Sequence, residues 1–456
     1  MTQGWITTTL GNIAASGGSG LVDGPFGSNL PASFYREMGV PVIRGSNLAL
    51  GPAPFKDNDF VFVDEATAKK LSRSLCRSDD IIFTKKGTLG QTGFISRTAR
   101  YPSYLLSSNQ MKLTVDCKVA DPRFVYYYVS SRASIAKIIR DAEATGVPKT
   151  NVAYLRTFPI QLPPVGQQRL ISSALSSLDD KIELNRQMNE TLEAMAQAIF
   201  RDWFIDFGPT RCKIEGASNP VEIMGGLVTD AVRAQQLADL FPVRFGDSGL
   251  PEGWEEVPFG QLIDVVGGGT PKTSVSEYWG GDVPWFSVVD TPPKGAVYVD
   301  LTEKSITVAG LENSSARLIE EGTTIISARG TVGNLAIAAQ PMTFNQSCYA
   351  LKGKAGIGNF FVFLASQGLV ERLKGMAHGS VFSTITRATF DSITYGRPSE
   401  ALLSSFEQVA EPLFRKIKAN VAEQRTLAVT RDLLLPRLMS GEIRLPEAGE
   451  VLEAAQ

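Results

Sequence analysis

Asp80-Ile81-Ile82-Phe83-Thr84-Lys85-Lys86-Gly87-Thr88-Leu89-Gly90 returns, altered but recognisable, as Thr323-Thr324-Ile325-Ile326-Ser327-Ala328-Arg329-Gly330-Thr331-Val332-Gly333. In both copies an apolar run enters a polar turn closed by glycines, the pattern of a strand ending in a loop. Upstream, Val40-Pro41 recurs as Val283-Pro284 at the same offset of 243. Gly4-Trp5 opens one copy and Gly253-Trp254 the other, and Asn109-Gln110 is matched to Asn345-Gln346. Farther on the offset settles at 235, with Lys181-Ile182 matching Lys416-Ile417, Asn185 matching Asn420 and Leu192 matching Leu427. Matches in one order with slowly drifting offsets mean a duplicated unit of roughly 240 residues.

Each copy has two parts. The first is rich in Gly, Pro, Ser, Thr and aromatics, with short apolar runs such as 81–83 and 324–326 between turn signals. It reads as a strand-rich α+β domain with helical stretches near 125–139 and 360–373. The second part is helical. From Gly166 to about Trp203 there is no further glycine or proline. Ile171, Leu175, Leu178, Ile182, Asn185, Asn189 and Leu192 step by alternating fours and threes. Phe406, Ala410, Leu413, Ile417, Asn420, Gln424 and Leu427 do the same. These are coiled-coil seams, each with a polar residue at the same place, which costs stability but fixes register. Two matched seams in a duplicated chain predict an antiparallel pair about a pseudo-two-fold axis. Asp179 and Asp180 fall outside the seam and are expected on its exposed side. Pro163-Pro164 and Pro398 mark the helix entries. The spacing thus predicts a domain over 1–162, a long helix over 163–206, a connector over 207–250 with a short helix near 228–240, a second domain over 251–398, a second long helix over 399–445 and a tail over 446–456.

Composition removes several function classes. With 456 residues, 43% hydrophobic and 20% charged, the chain has material for several cores. His378 is the only histidine, so no two-histidine metal site can form, and no Gly-x-Ser-x-Gly elbow accompanies it. It reads as a loop residue. Cys76, Cys117, Cys212 and Cys348 match no zinc or Cys-x-x-Cys spacing and are expected as reduced thiols of a cytoplasmic protein. There is no signal-peptide pattern, no apolar stretch of membrane-spanning length and no P-loop. Gly267-Gly268-Gly269-Thr270-Pro271 lacks the Gly-Lys pair and reads as a turn. The amino-methyltransferase tetrapeptide Asn-Pro-Pro-Tyr/Phe is missing; Asp290-Thr291-Pro292-Pro293 only mimics it. Asp64-Glu65 with Lys69-Lys70 reads as a charged helix face rather than a nuclease cluster. No metal and no activated nucleophile are expected, hence no enzyme. Residues 1–160 carry 19 Lys+Arg against 12 Asp+Glu, and 251–398 carry 11 against 14. The first excess permits nucleic acid without requiring it.

Several stretches together carry a family resemblance: Gly39-Val40-Pro41-Val42-Ile43-Arg44, Lys86-Gly87-Thr88-Leu89-Gly90, Leu105-Leu106-Ser107-Ser108-Asn109-Gln110, and the helix entry Leu162-Pro163-Pro164-Val165-Gly166-Gln167-Gln168-Arg169-Leu170. Leu178-Asp179-Asp180-Lys181-Ile182-Glu183-Leu184-Asn185, Phe200-Arg201-Asp202-Trp203-Phe204 and Leu434-Leu435-Pro436-Arg437-Leu438-Met439-Ser440-Gly441-Glu442-Ile443 extend it. Their order and duplication make the chain resemble the specificity subunit of type I restriction–modification systems over nearly its whole length. The second helix entry, Arg397-Pro398-Ser399-Glu400, departs from the family's Pro-Pro-x-x-Glu-Gln form.

The resemblance implies two target recognition domains that each read half of an asymmetric, bipartite double-stranded DNA site, the half-sites lying on opposite strands. The coiled coil between them would act as a ruler. About 34 helical residues span roughly 50 Å, or near 15 base pairs, as an upper bound. Two modification subunits would dock on the helices and near Trp203-Phe204, bringing S-adenosylmethionine. Restriction/translocase subunits would bring ATP and Mg. This chain would bind no cofactor and no membrane. A self-contained methyltransferase, or a scaffold or inhibitor that binds partners without DNA, are the alternatives. Glycine loops flanked by cations suit phosphates, which points to Arg44, Lys85, Lys86 and Thr88 in the first domain and Arg329, Thr331, Asn334 and Arg387 in the second. Asn109, Gln110, Asn345 and Gln346 can read adenine edges, although residues shared by both domains should position rather than specify. Lys149 and Thr150 are comparable candidates.

Overall fold

The apolar runs do become strands, because their β-branched and aromatic side chains are buried on a pleated surface: Ile81, Ile82, Phe83, Ile325 and Ile326 are all in cores. A computed structural model of the chain describes residues 4–53, 55–143, 149–354, 356–376 and 384–444. His378 and the tail beyond 444 lie outside the described residues. The chain divides into two units, one of residues 1–183 and 425–456, the other of 184–424.

In the first unit one sheet has the order Leu21–Asp23, Gln110–Leu113, Ile81–Thr84, Thr92–Phe94. A second runs Val61–Val63, Val40–Ile43, Tyr104–Leu106, Leu75–Cys76. Ile6–Thr9 pairs with Pro159–Leu162. The second unit repeats the plan. Ile263–Gly267, Cys348–Gly353, Thr324–Ser327, Leu335–Ala338 and Tyr298–Val299 form one sheet, and Lys304–Ile306, Trp279–Phe286 and Thr343–Phe344 the other. Glu255–Pro258 pairs with Thr394–Arg397. The correspondence reaches single pairs: Val40 faces Val63 in one unit and Val283 faces Ile306 in the other.

The helical stretches are present with shifted bounds, as Pro122–Val129 and Arg132–Glu143 in the first unit and Asn359–Met376 in the second. The connector holds three short helices, the last being Ala231–Ala238. The charged face at 64–70 is a helix, Glu65–Lys70, capped by Asp64.

The long helices are Val165–Phe204 and Glu400–Met439. The first starts after Pro164, where the buried Gln168 amide accepts from Asp121 N (2.8 Å) and donates to Pro163 O (2.7 Å). The second starts after Ser399, whose Oγ accepts from Leu402 N (3.3 Å), so the Pro398-Ser399 entry is a working cap. In the first unit Ile171 and Leu175 share a core with Leu434, Leu435, Leu438 and Met439, and Leu178 packs against it. In the second unit Phe406 and Ile417 are buried with Ile199, Phe200 and Trp203, while Leu192 and Leu413 flank them. Ile182 and Leu427 are half-buried. The polar positions meet inside the second unit: Asn420 Nδ2 donates to Asn189 Oδ1 (2.8 Å), and Asn185 Nδ2 to Glu423 Oε2 (2.8 Å). Numbers that rise along one helix fall along the other, so the pair is antiparallel.

Asp179 corrects an expectation. It is not on an exposed face: its carboxylate accepts from Tyr127 Oη (2.5 Å) and pairs with Arg431 Nη1 (2.7 Å), with burial pushing its carboxyl above the usual range. Tyr127, on the helix Pro122–Val129, covers the side of the long helix that heptad spacing alone leaves to solvent. Among the described residues no helix is long and apolar enough to cross a membrane.

Candidate nucleic-acid interface

Three loops at the ends of strands meet in the first unit. Strand Val40–Ile43 leads into Arg44 and a 3-10 turn over Gly45–Asn47. Asn47 is the buried hub of this turn: its Oδ1 accepts from Arg44 N (2.9 Å), and its Nδ2 donates to Lys56 O (3.0 Å) and Asn58 O (2.9 Å). Strand Ile81–Thr84 leads into the glycine run, where Gly87 and Gly90 take φ of 103° and 84°. At Gly90 a Cβ would also come within 2.8 Å of Ile135, so glycine is required twice over. The third loop is the turn at 107–110. Ser107 N donates to Ile43 O (3.0 Å) and Gln110 N to Ser107 O (3.3 Å), while Asn109 O accepts from Lys85 N (2.7 Å) and Lys86 N (3.4 Å).

Around these loops lies an open cleft of about 550 Å³ that gathers Arg44, Lys86, Thr88, Asn109 and Gln110 with Tyr35, Thr84, Gln91, Ser107 and Ser108. Five of the residues singled out from sequence therefore share one surface. Gln110 is buried there and accepts from Ser107 Oγ, so its amide is partly committed to the fold. Lys85 is placed differently: it points out of the cleft to an ion pair with Asp23 (2.8 Å). Successive side chains of an extended segment alternate in direction, so Thr84 and Lys86 face the cleft and Lys85 cannot. Lys149 is exposed and its backbone bridges to that of Lys86. Thr150 is buried, bonded to Lys85 O (3.1 Å) and Thr84 O (3.1 Å).

The second unit builds the same frame. Ser287 N donates to Asp290 Oδ2 (2.8 Å) as Arg44 N does to Asn47. Gly330 and Gly333 take φ of 79° and 87°. Asn345 N donates to Phe286 O (2.9 Å), Cys348 N to Asn345 O (3.2 Å), and Ser347 O accepts from Ala328 N (2.8 Å) and Arg329 N (3.2 Å). Arg329 thus occupies the place of Lys86, and both are exposed. Thr331, also exposed, occupies that of Thr88. Asn334 holds the frame, its N donating to Ser327 Oγ (2.8 Å) and its Nδ2 to Thr291 Oγ1 (3.4 Å). Its counterpart is Gln91, which the sequence reading passed over although it follows the repeated run directly.

The Asn-Gln pairs are not equivalent. Strand register sets Gln110 opposite Thr84 and Cys348 opposite Ser327. Asn109 therefore corresponds to Ser347, and Asn345 to Ser107; the dipeptide match is two residues out of register. Asn345 Oδ1 accepts from Ser347 N (3.0 Å), and the exposed Gln346 accepts from Thr270 Oγ1. Arg387 opens the helix Arg387–Asp391, and its Nη2 donates to Val265 O (3.0 Å), on an element other than the three loops.

One more pair of glycines sustains the frame. Gly24 N donates to Gln110 O (2.9 Å) and Gly268 N to Cys348 O (3.4 Å). A Cβ at Gly24 would lie 1.9 Å from Ser107 O, and one at Gly268 2.0 Å from Asn345 O. The triple glycine at 267–269 is therefore a close-approach turn. Burial raises the thiols of Cys76 and Cys348, the latter to about 12, and no group of three potential metal ligands occurs among the described residues. What the loops present is cations, amides and hydroxyls, a set suited to holding charge and hydrogen-bonding edges.

The description "Type I restriction modification DNA specificity domain" matches residues 33–194 and 251–395. The HindI specificity subunit of Haemophilus influenzae is 26% identical over 426 residues, 85% of this chain and 92% of that one. The MjaIX specificity subunit of Methanocaldococcus jannaschii is 30% identical over 171 residues, 36% of this chain and 40% of that one. Among solved structures, the S subunit of a type I restriction-modification system from M. genitalium aligns with a TM-score of 0.50 at 15% identity, over 95% of this chain and 96% of that one, a likeness of fold.

Proposed function

The chain belongs to the type I restriction modification DNA specificity domain family, and on that premise we propose that it is the DNA-recognition subunit of such a system, each unit reading one half of an asymmetric, two-part duplex target. One observation carries this reading: the same three-loop frame is built twice with different side chains. Equal frames suit two pieces of the same polymer, and unequal linings suit two different base sequences. Lys86 and Arg329, at equivalent exposed positions, supply the contact with phosphate common to both. Thr88 and Thr331 lie beside them, and Asn109 and Ser347 take the equivalent turn position.

The chain itself transfers no group. Two modification subunits hold S-adenosylmethionine and methylate the target; restriction/translocase subunits use ATP and Mg. The complex works in the cytoplasm, on the host's own DNA. Base-resolution methylation sequencing of the host, with and without the gene, tests the reading. An asymmetric two-part methylated motif should vanish on deletion. A methylation pattern unchanged by deletion, in a host where the modification subunits are expressed, would sink it.

A further inference from the structure

Given that DNA-recognition reading, the two clefts can be compared position by position, and they part company at Arg44. Its counterpart is Ser287, since both open a 3-10 turn whose third residue, Asn47 or Asp290, accepts their backbone N–H. Ser287 is short, and its Oγ already donates to Asp290 Oδ2 (3.0 Å). Arg44 carries a planar fork of donors into the cleft. The fork is held rather than free. Nη2 donates to Asp59 O (3.0 Å), Asp59 itself sits at φ 55°, and Nε is buried without a partner. Nη1 has no partner among the described residues.

A position that keeps its charge in both units, such as Lys86 and Arg329, answers to what the half-sites share. A position that changes from guanidinium to hydroxyl within an unchanged frame answers to what they do not share. A phosphate contact does not require an oriented fork, since lysine holds phosphate as a point charge. Arg44 lines the cleft with Asn109 and Gln110, and its anchoring to Asp59 O leaves Nη1 and the second N–H of Nη2 as the pair of donors for a base edge. The edge that fits two parallel donors is the O6 and N7 of guanine. We propose that Arg44 is a specificity-determining residue of the first unit, reading a guanine in that unit's half-site, and that the second unit makes no equivalent contact because Ser287 stands there.

The test uses the full chain co-expressed with its modification subunits in a host free of background methylation, read at base resolution. Arg44→Lys keeps the charge and removes the fork; Arg44→Gln removes both. With wild type, a two-part motif is expected. With Arg44→Lys, one guanine position in one half should become degenerate, its discrimination falling about tenfold or more, while the other half stays unchanged. A motif retained in full by Arg44→Lys would make Arg44 a phosphate contact and overturn the proposal. So would relaxation in both halves, or loss of all methylation by Arg44→Lys with an unaltered melting curve. Should Arg44→Gln fail to fold, Arg44→Lys alone decides. Absence of any two-part motif with wild type would instead overturn the DNA-recognition reading, and Arg44 with it.

Discussion

Lys85 and Lys86 are adjacent and chemically identical, yet one is tied to Asp23 and the other is open to solvent beside the cleft. A phosphate contact at Lys86 should therefore be separable from a structural role at Lys85. Lys86→Ala and Arg329→Ala are each expected to weaken DNA binding by the assembled complex about evenly across target sequences. Each should also lower the slope of log affinity against log salt by about one. A salt titration of binding checks this, and an unchanged slope would remove the residue from the phosphate set. The site was legible in sequence wherever backbone need and side-chain chemistry coincide, as in the glycine runs at 87–90 and 330–333. It was illegible where only strand register decides. A two-letter match such as Asn-Gln can slide by two residues across a loop of different length, and only the ladder opposite Thr84 and Ser327 fixes which residues correspond.

At the scale of elements, the heptad spacing gave the long helices, but it says nothing of what covers their outer sides. Asp179 shows the cost of that silence, and Glu407 shows it again. Glu407 lies on the second long helix, and its carboxylate accepts from Phe360 N (3.2 Å) and Phe361 N (2.8 Å) at the start of the helix Asn359–Met376. Gly358 makes room, since a Cβ there would fall 2.0 Å from the carboxyl carbon. Burial raises the Glu407 carboxyl to about 7, against the two backbone donors that lower it. An acid whose folded pKa is raised binds its proton more tightly in the native state. This group's contribution is therefore greatest below the unfolded value near 4.5, and is lost as pH rises through about 7. Stability of the second unit should fall over that window by up to about 3 kcal/mol. Glu407→Gln should flatten the dependence. Thermal unfolding at pH 5 and pH 8 measures it, and equal pH dependence in variant and wild type would refute the assignment.

For the whole molecule, duplication was the most legible property. Repeats of 243 and 235 residues survive in the sequence because each frame has its own cores and turns to satisfy. On the proposed reading, what each copy contributes to one target is carried by positions that differ within the shared frame, and such positions look like noise in a repeat. The purified chain alone, given target DNA and S-adenosylmethionine, should transfer no methyl group, and adding the modification subunits should restore transfer. Methylation by the chain alone would contradict the division of labour proposed above. The antiparallel helix pair has one more consequence. Leu434, Leu435, Leu438 and Met439 complete the core that Ile171 and Leu175 begin. During synthesis this core of the first unit closes only after residue 439 has been made, whereas the second unit is already complete at residue 424. The end made first is finished last. A product that stops before residue 434 would leave Ile171 and Leu175 without these partners, an apolar face of the first long helix uncovered.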